Sequence, residues 1–339
     1  MKDDAAPQPR QPALTPPKGA QRQGRVFLNP DGSPAGHELA AVWKMMREGG
    51  GAPWPDWIED PPQPVPMAPP PGHASITFLG HASFLIQVAG GPNLLIDPIW
   101  SDRCSPFGFA GPKRVRAPGL GFDLLPKIDA VLISHNHYDH CDIPTLKRLQ
   151  ARFSPRIITG LGNAGLLAKH GMEDVLELDW WQPALLPGGS LGSLPVHYVP
   201  AQHASARGMG DRGQALWGGF VLEGRSGARI YFAGDTAWGP HFAEIGARLG
   251  PFALGLLPIG AYEPRWFMSK VHVNPAEAVQ AFLAARVERA LAMHFGTFKL
   301  TQEGIDAPVV ELARARSAAG LADEAFRAPA LGETVLLAF

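Results

Sequence analysis

Three imidazoles and a carboxylate fall within six consecutive residues at His135, His137, Asp139 and His140, inside the segment SHNHYDH. Nitrogen and carboxylate donors at this density suit a borderline divalent metal such as zinc, and the same donors accept iron or manganese. The chain holds only twelve histidines in 339 residues, so the clustering is far above chance. If the segment is a tight loop after a strand, alternate side chains point one way. His135 and His137 could then face one ion while Asp139 and His140 turn towards a second. Three remote residues have the same character: His203 in PAQHAS, Asp235 in FAGDT and His294 in AMHFGTF, each just past an apolar run. Singly, each is as readily a turn cap or a satisfied core histidine. Together they bring the count to seven ligands, the number that two ions sharing one carboxylate and one hydroxide require. Two ions roughly 3.5–4 Å apart lower the pKa of a bridging water towards about 7, so the expected chemistry is hydrolysis by a metal-bridging hydroxide.

These residues need strands to hold them, and the chain supplies strands from Ser75 onward. SITFLG, SFLIQV, NLLIDP and DAVLISH are short apolar runs bounded by Gly, Pro and Asn, and so are RIITG, PVHYVP, GGFVLEG, RIYFAGD, ALGLLPIG and ERALAMHFG. Helical spacing marks IPTLKRLQARF, PHFAEIGARLG, NPAEAVQAFLAARV and residues 307–320, the third opening on an Asn cap followed by Pro. Strands first, then strands mixed with helices, then the same again, predict an α+β sandwich of two sheets covered by helices. Residues 1–24 read as a disordered polar tail. Residues 25–72 read as an extended Pro/Gly-rich arm interrupted by a short amphipathic helix at 37–47, and residues 73–339 as the hydrolase domain.

Composition narrows the function classes. Charged residues are 18% with a net charge of -1, which gives no basic footprint for nucleic acid. The two cysteines, Cys104 and Cys141, are too few for a disulfide framework. There is no signal-peptide h-region and no apolar run of about eighteen residues, so a cytoplasmic protein is expected, with peripheral contact at the inner membrane face left open. The arm before residue 73 could cover a partner copy, which leaves a homodimer open.

Beyond the ligands, the segments LLIDPIWSDRCSPFGFAGPKRVR, DAVLISHNHYDHCD, LPIGAYEPRWFM and AMHFGTF are similar to the metallo-β-lactamase superfamily, and within it to the N-acylphosphatidylethanolamine-hydrolysing phospholipase D-like family. The resemblance covers roughly residues 73–300. HxHxDH alone is specific only to the superfamily; GPKRVR, IGAYEPRWFM and HFGTF carry the narrower likeness. It implies an αββα metallo-β-lactamase fold, two mixed sheets flanked by helices. It also implies that His135, His137 and His203 bind one zinc, that Asp139, His140 and His294 bind the other, and that Asp235 bridges. The implied activity is a phosphodiesterase of phospholipase D type, releasing N-acylethanolamine and phosphatidate from a phospholipid. Asp139, His81 and His272 form the expected catalytic set, the two histidines positioning the phosphate or protonating the leaving group. Asp97 is expected to orient a ligand histidine from behind. Lys113, Arg114 and Arg116 suit an anionic head group, or a solvated loop. Tyr262, Trp266 and Phe267, in a Pro-containing loop, suit a wall around an acyl chain, or core.

The sequence departs from that family at Val271, where Gln usually precedes the equivalent of His272, at Asn274 for Asp, at Cys141 for Leu, and in HFGTF for HWGTF. These departures leave the metal ligands intact and bear on the substrate. Two readings compete with a phospholipase: a lactonase or other small-molecule phosphoester hydrolase on the same fold, and a non-catalytic metal- or lipid-binding protein. The second would be expected to have lost ligands, and none of the seven is missing.

Overall fold

The computed structural model describes residues 16–208 and 210–339. Its strands are β1 (Arg22–Gln23), β2 (Val26–Phe27), β3 (His73–Gly80), β4 (Ser83–Val88), β5 (Asn93–Ile96), β6 (Ala130–Ile133), β7 (Arg156–Gly160), β8 (Val175–Leu178), β9 (Pro183–Pro187), β10 (Ser193–Val199), β11 (Gly219–Glu223), β12 (Arg229–Phe232), β13 (Leu254–Pro258), β14 (Ala290–Met293), β15 (Phe326–Arg327) and β16 (Thr334–Ala338). Its helices are α1 (Leu39–Glu48), α2 (Ile143–Phe153), α3 (Ala164–Ala168), α4 (His241–Leu249), α5 (Arg265–Met268), α6 (Pro275–Ala284) and α7 (Ala307–Ala318).

Two seven-stranded sheets result, in the orders β16-β3-β4-β5-β6-β7-β8 and β15-β14-β13-β12-β11-β10-β9. Each is mixed. The β3–β4–β5 and β9–β10–β11–β12 ladders are antiparallel, while β5 through β8 and β12 through β15 run parallel. Parallel neighbours need a crossover, and helices supply it: α2 between β6 and β7, α4 between β12 and β13, α6 between β13 and β14. Period-two alternation sorts the side chains. Ile96 and Leu132 point between the sheets with Phe84, Phe220, Phe232 and Met293. Leu95, Val131 and Ile133 point outward onto Leu146 and Leu149 of α2. On the other sheet Val221, Leu257 and Ala292 meet Phe242, Val279 and Phe282 of α4 and α6. Fully burying one such side chain stabilises by about 1.5–3 kcal/mol, which is why both sheets must be covered on both faces. The start of α6 is a capping box, with Asn274 Oδ1 accepting from Glu277 N–H at 2.8 Å and Glu277 Oε2 accepting from Asn274 N–H at 3.0 Å. The expected α+β sandwich is therefore the observed one.

Several expectations need correction. The polar tail was placed at residues 1–24; residues 1–15 lie outside the described residues, but Arg22–Gln23 form β1, paired with β2, and Ala20 N–H donates to Asp179 Oδ1 at 2.9 Å. Strands β8, β9, β15 and β16 were not read, and all lie at or next to sheet edges. The segment holding Trp266 and Phe267 is not a loop throughout: Arg265–Met268 form α5. Phe267 does not wall a substrate channel. It is buried with Met268 and Val271 against Ala41, Val42 and Met45 of α1, and its ring stacks on His37 at 3.7 Å. Tyr262 is likewise buried, at 2% exposure, and Trp266 is exposed with Lys44 Nζ 4.3 Å from its ring centre. The arm thus docks through α1, and again where Ile58 N–H donates to Val115 O at 2.6 Å and Trp54 Nε1–H to Glu303 O at 3.0 Å. Among the described residues, no helix is long and apolar enough to cross a membrane.

Candidate metal centre

The ligand-type residues meet at one edge of the sandwich because each follows a strand of one sheet or the other. His81 follows β3 directly, Asp97 follows β5 and His294 follows β14, while His135, His203 and Asp235 stand two to four residues past β6, β10 and β12. The loop after β6 divides as its spacing suggests. His135 lies in irregular backbone past the strand and His137 at a bend, and then a turn closes from His137 O to Cys141 N at 2.8 Å. That turn swings Asp139 and His140 to the other side. His135 Nε2 and His203 Nε2 both approach His137 Nδ1, at 2.9 and 3.2 Å. Three ring nitrogens aimed at one place fit a cation better than they fit one another, because a single N–H can satisfy only one of those contacts. The second group holds Asp139, His140, His294 and also His81. Asp139 Oδ2 lies 2.9 Å from His81 Nε2 and 3.3 Å from the Nε2 atoms of His140 and His294.

Asp235 joins the two groups. Its Oδ2 is 3.1 Å from His140 Nε2 and His294 Nε2, and 3.8 Å from His135 Nε2 and His203 Nε2. His272 Nε2 stands 3.9 Å from the same oxygen. Buried Asp235 Oδ1 and His272 Nδ1 have no hydrogen-bond partner among the described residues. A donor set of imidazoles and carboxylates with unmet acceptors in a buried site fits divalent metal. His137, Tyr138 and Asp139 are only half buried, so the centre opens to solvent there.

Residues 92–295 match the β-lactamase superfamily domain. The chain belongs to that superfamily. N-acyl-phosphatidylethanolamine-hydrolyzing phospholipase D 1 of Caenorhabditis elegans is 39% identical over 234 residues, 66% of this chain and 64% of that protein. A metal-dependent hydrolase of Rubrobacter xylanophilus is 32% identical over 67% of this chain and 84% of its own length. Among solved structures, Igni18, a metallo hydrolase of Ignicoccus hospitalis, superposes with a TM-score of 0.59 at 24% identity, covering 79% of this chain and 99% of that one. The resemblance drawn from GPKRVR, EPRWFM and HFGTF is borne out, and the solved structure supports the fold. The chain spans 64% of the nematode relative's length.

Strain and burial hold the superfamily site in place. Seven non-glycine residues among those described have positive φ, and His81, Asp97 and His294 are three of them. Such conformations cost about 1–3 kcal/mol each and persist where the surroundings over-determine them. Gly260 is one reason: a Cβ there would collide with His294 O, so only glycine lets that loop come so near. Asp97 takes the place expected for it. Its carboxylate accepts from Ser134 N–H at 2.7 Å and Ser134 Oγ–H at 2.5 Å, and its Oδ2 lies 2.7 Å from His140 Nδ1.

Charges follow from the packing. Burial pushes the pKa of His81 down to about 4 and that of His203 to about 3, and holds His135 and His272 well below the imidazole range. Burial acts the same way on His294, but the carboxylates of Asp235 and Asp139 outweigh it and raise His294 to about 9. They also hold His140 well above the usual value. Burial pushes the Cys141 thiol up to about 12.

The basic cluster is rearranged relative to expectation. Arg114 is not available to a head group: it is 3% exposed, and its guanidinium donates to Ser101 O, Ile99 O and Arg116 O. Arg116 pairs with Asp60 of the arm at 3.2 Å, and Lys113 is exposed. Sequence reasoning missed Arg207, which donates to Asn136 O at 3.1 Å and Cys141 O at 2.9 Å, with its guanidinium 3.7 Å from the Tyr138 ring centre. It braces the metal loop from a Gly-rich segment that carries no local signal. It missed Thr297 too, whose Oγ1 accepts from His81 N–H at 2.9 Å and so ties the His81 turn to the His294 loop.

Proposed function

We propose that this hydrolase is a dinuclear zinc phosphodiesterase of phospholipase D type that cleaves N-acylphosphatidylethanolamine-like phospholipids to N-acylethanolamine and phosphatidate, working at the membrane surface. His135, His137 and His203 would hold one ion, Asp139, His140 and His294 the other, with Asp235 shared. The observation that carries a two-ion reading is the position of Asp235 Oδ2 between the two imidazole groups. Divalent ions bound there supply Lewis acidity, which acidifies water and offsets charge on phosphoryl oxygens. His272 is neutral at pH 7 and 7% exposed, which suits it to donate a hydrogen bond to a phosphoryl oxygen or the leaving oxygen. His81 has its Nε2 on Asp139, which suits holding that carboxylate rather than meeting substrate. The lipid substrate rests on the likeness to the nematode phospholipase, because Tyr262 and Phe267 are buried and leave Trp266 as the exposed aromatic of that segment.

His137→Ala tests the centre. Elemental analysis is expected to show less than two ions per chain together with lost turnover; two retained zinc ions and full turnover would sink the assignment. The same measurement on the wild type separates zinc from iron or manganese. For the substrate, N-acylphosphatidylethanolamine in mixed micelles should yield N-acylethanolamine and phosphatidate. Their absence removes the lipid reading and leaves the hydrolase standing.

A pH dependence follows from the metal-free site. His294 carries its proton up to about pH 9 against an ordinary 6.5, and His140 is raised as well. Those protonated pairs stabilise the metal-free fold below the ordinary value, and the benefit is lost as pH rises through about 9. Metal needs the neutral imidazoles, so its binding releases protons. Zinc affinity measured against a competing chelator is expected to rise between pH 6 and about 9, by about tenfold per unit for each proton displaced. A flat profile would show that the carboxylates do not hold those protons.

A further inference from the structure

Beside the metal centre, on the side covered by the arm, lies a cavity of about 570 Å³ that none of the ligand residues lines. One wall is the arm between Asn29 and Glu38; the other comes from the loops that carry Gln202, Arg212, Trp238 and Lys270. Gln202 directly precedes His203, and Lys270 stands two residues before His272, so the cavity adjoins the centre without belonging to it.

Its polar groups are balanced. Asp31 and Glu38 oppose Arg212 and Lys270, two charges of each sign, so the lining does not select an ion. Gln202 is 7% exposed; its Nε2 donates to Asp31 Oδ2 at 2.8 Å and Ser33 Oγ at 3.2 Å, and its buried Oε1 has no partner among the described residues. Trp238 lines the same space, 41% exposed, with its ring stacked on Phe242 at 5.6 Å. An acyl chain would take water from Asp31, Glu38, Arg212 and Lys270 and replace it with nothing, and a phosphate would face two carboxylates. Hydroxyl groups answer both demands, because each donates and accepts, and a ring of C–H bonds can lie on an indole face. The volume lies in the range of small-molecule sites.

We propose that this cavity binds a neutral polyol group of the glycerol, inositol or monosaccharide kind. The proposal goes beyond the lipid reading and does not rest on it. The polyol is either the head group of a phosphodiester substrate or a free sugar.

Ligand-observed NMR on the metal-loaded full chain with glycerol, myo-inositol and glucose tests it. At least one is expected to bind, and Asp31→Ala and Trp238→Ala are each expected to weaken it by about tenfold. His137→Ala, which disables the metal centre, is expected to leave binding unchanged. Trp238→Phe, which keeps an aromatic face, covers the case in which Trp238→Ala does not fold. No binding of any of the three overturns the proposal. Binding lost with His137→Ala but kept in the Asp31 and Trp238 variants also overturns it, because the polyol would then sit at the metals. A preference for a glycerol or inositol phosphodiester over a methyl one in kcat/KM, abolished by Trp238→Ala, assigns the cavity to a substrate head group; binding without that preference assigns it to a free polyol. Failure of the lipid reading shows separately, as missing N-acylethanolamine with polyol binding intact.

Discussion

Asp235→Asn is expected to weaken metal binding by about 10²- to 10⁴-fold and to abolish turnover. The variant keeps the shape of the side chain and removes one charge. That charge faces four imidazole nitrogens within 3.8 Å and a fifth, from His272, at 3.9 Å. Burial resists ionisation of Asp235, yet the imidazoles of His140, His294 and His272 outweigh it and hold its pKa well below the usual carboxylate range. The charge is therefore present at every working pH. Removing one partner from a buried ionic cluster costs about 3–5 kcal/mol, and about 1.4 kcal/mol is a factor of ten. Chelator competition and metal content per chain measure the loss. If the Asn variant binds two ions with wild-type affinity, Asp235 is not shared between them.

Asp97→Ala is expected to be nearly as damaging, by another route. Asp97 is fully buried, touches no proposed reacting group, and accepts from Ser134 N–H, Ser134 Oγ–H and the Nδ1 side of His140. It fixes the end of β5 to the end of β6, where the metal loop begins, and it turns His140 so that Nε2 faces Asp235 and Asp139. Truncation leaves buried donors without an acceptor and His140 free to rotate. The expected cost is about 3–5 kcal/mol in unfolding free energy and about 10- to 100-fold in metal affinity. Asp97→Asn separates the two effects. It retains an acceptor for Ser134 but presents N–H to one of the other donors, so metal affinity should fall more than the melting temperature. An Ala variant that melts and binds metal like the wild type would show that Ser134 alone orients the loop.

The chemistry was legible because its signals are local. His135, His137, Asp139 and His140 announce a metal by type and spacing. His203, Asp235 and His294 could be added because each follows a recognisable apolar strand, and Asp97 because it ends NLLID. Helices α2 and α6 carried their own boundaries, the latter in the Asn274–Glu277 capping box. The edge strands were not legible. β9 is Pro-bounded and alternately exposed, and β16 becomes a strand only by pairing Thr334 with Thr77, far away in the chain.

The sequence by itself determined the donor set, the strand ends that present it and the α+β class, because side-chain chemistry and period-two patterning are properties of neighbours along the chain. Only the tertiary structure decided which basic and aromatic residues were free to meet a ligand. Arg114 looks like a head-group contact until its guanidinium is found on three backbone carbonyls, and Phe267 looks like a channel wall until α1 is found covering it. His81 shows its place against Asp139 only when β3 and the metal loop come together, 58 residues apart in sequence. Burial is set by what packs on a residue from elsewhere in the chain, and that information is not local to any motif.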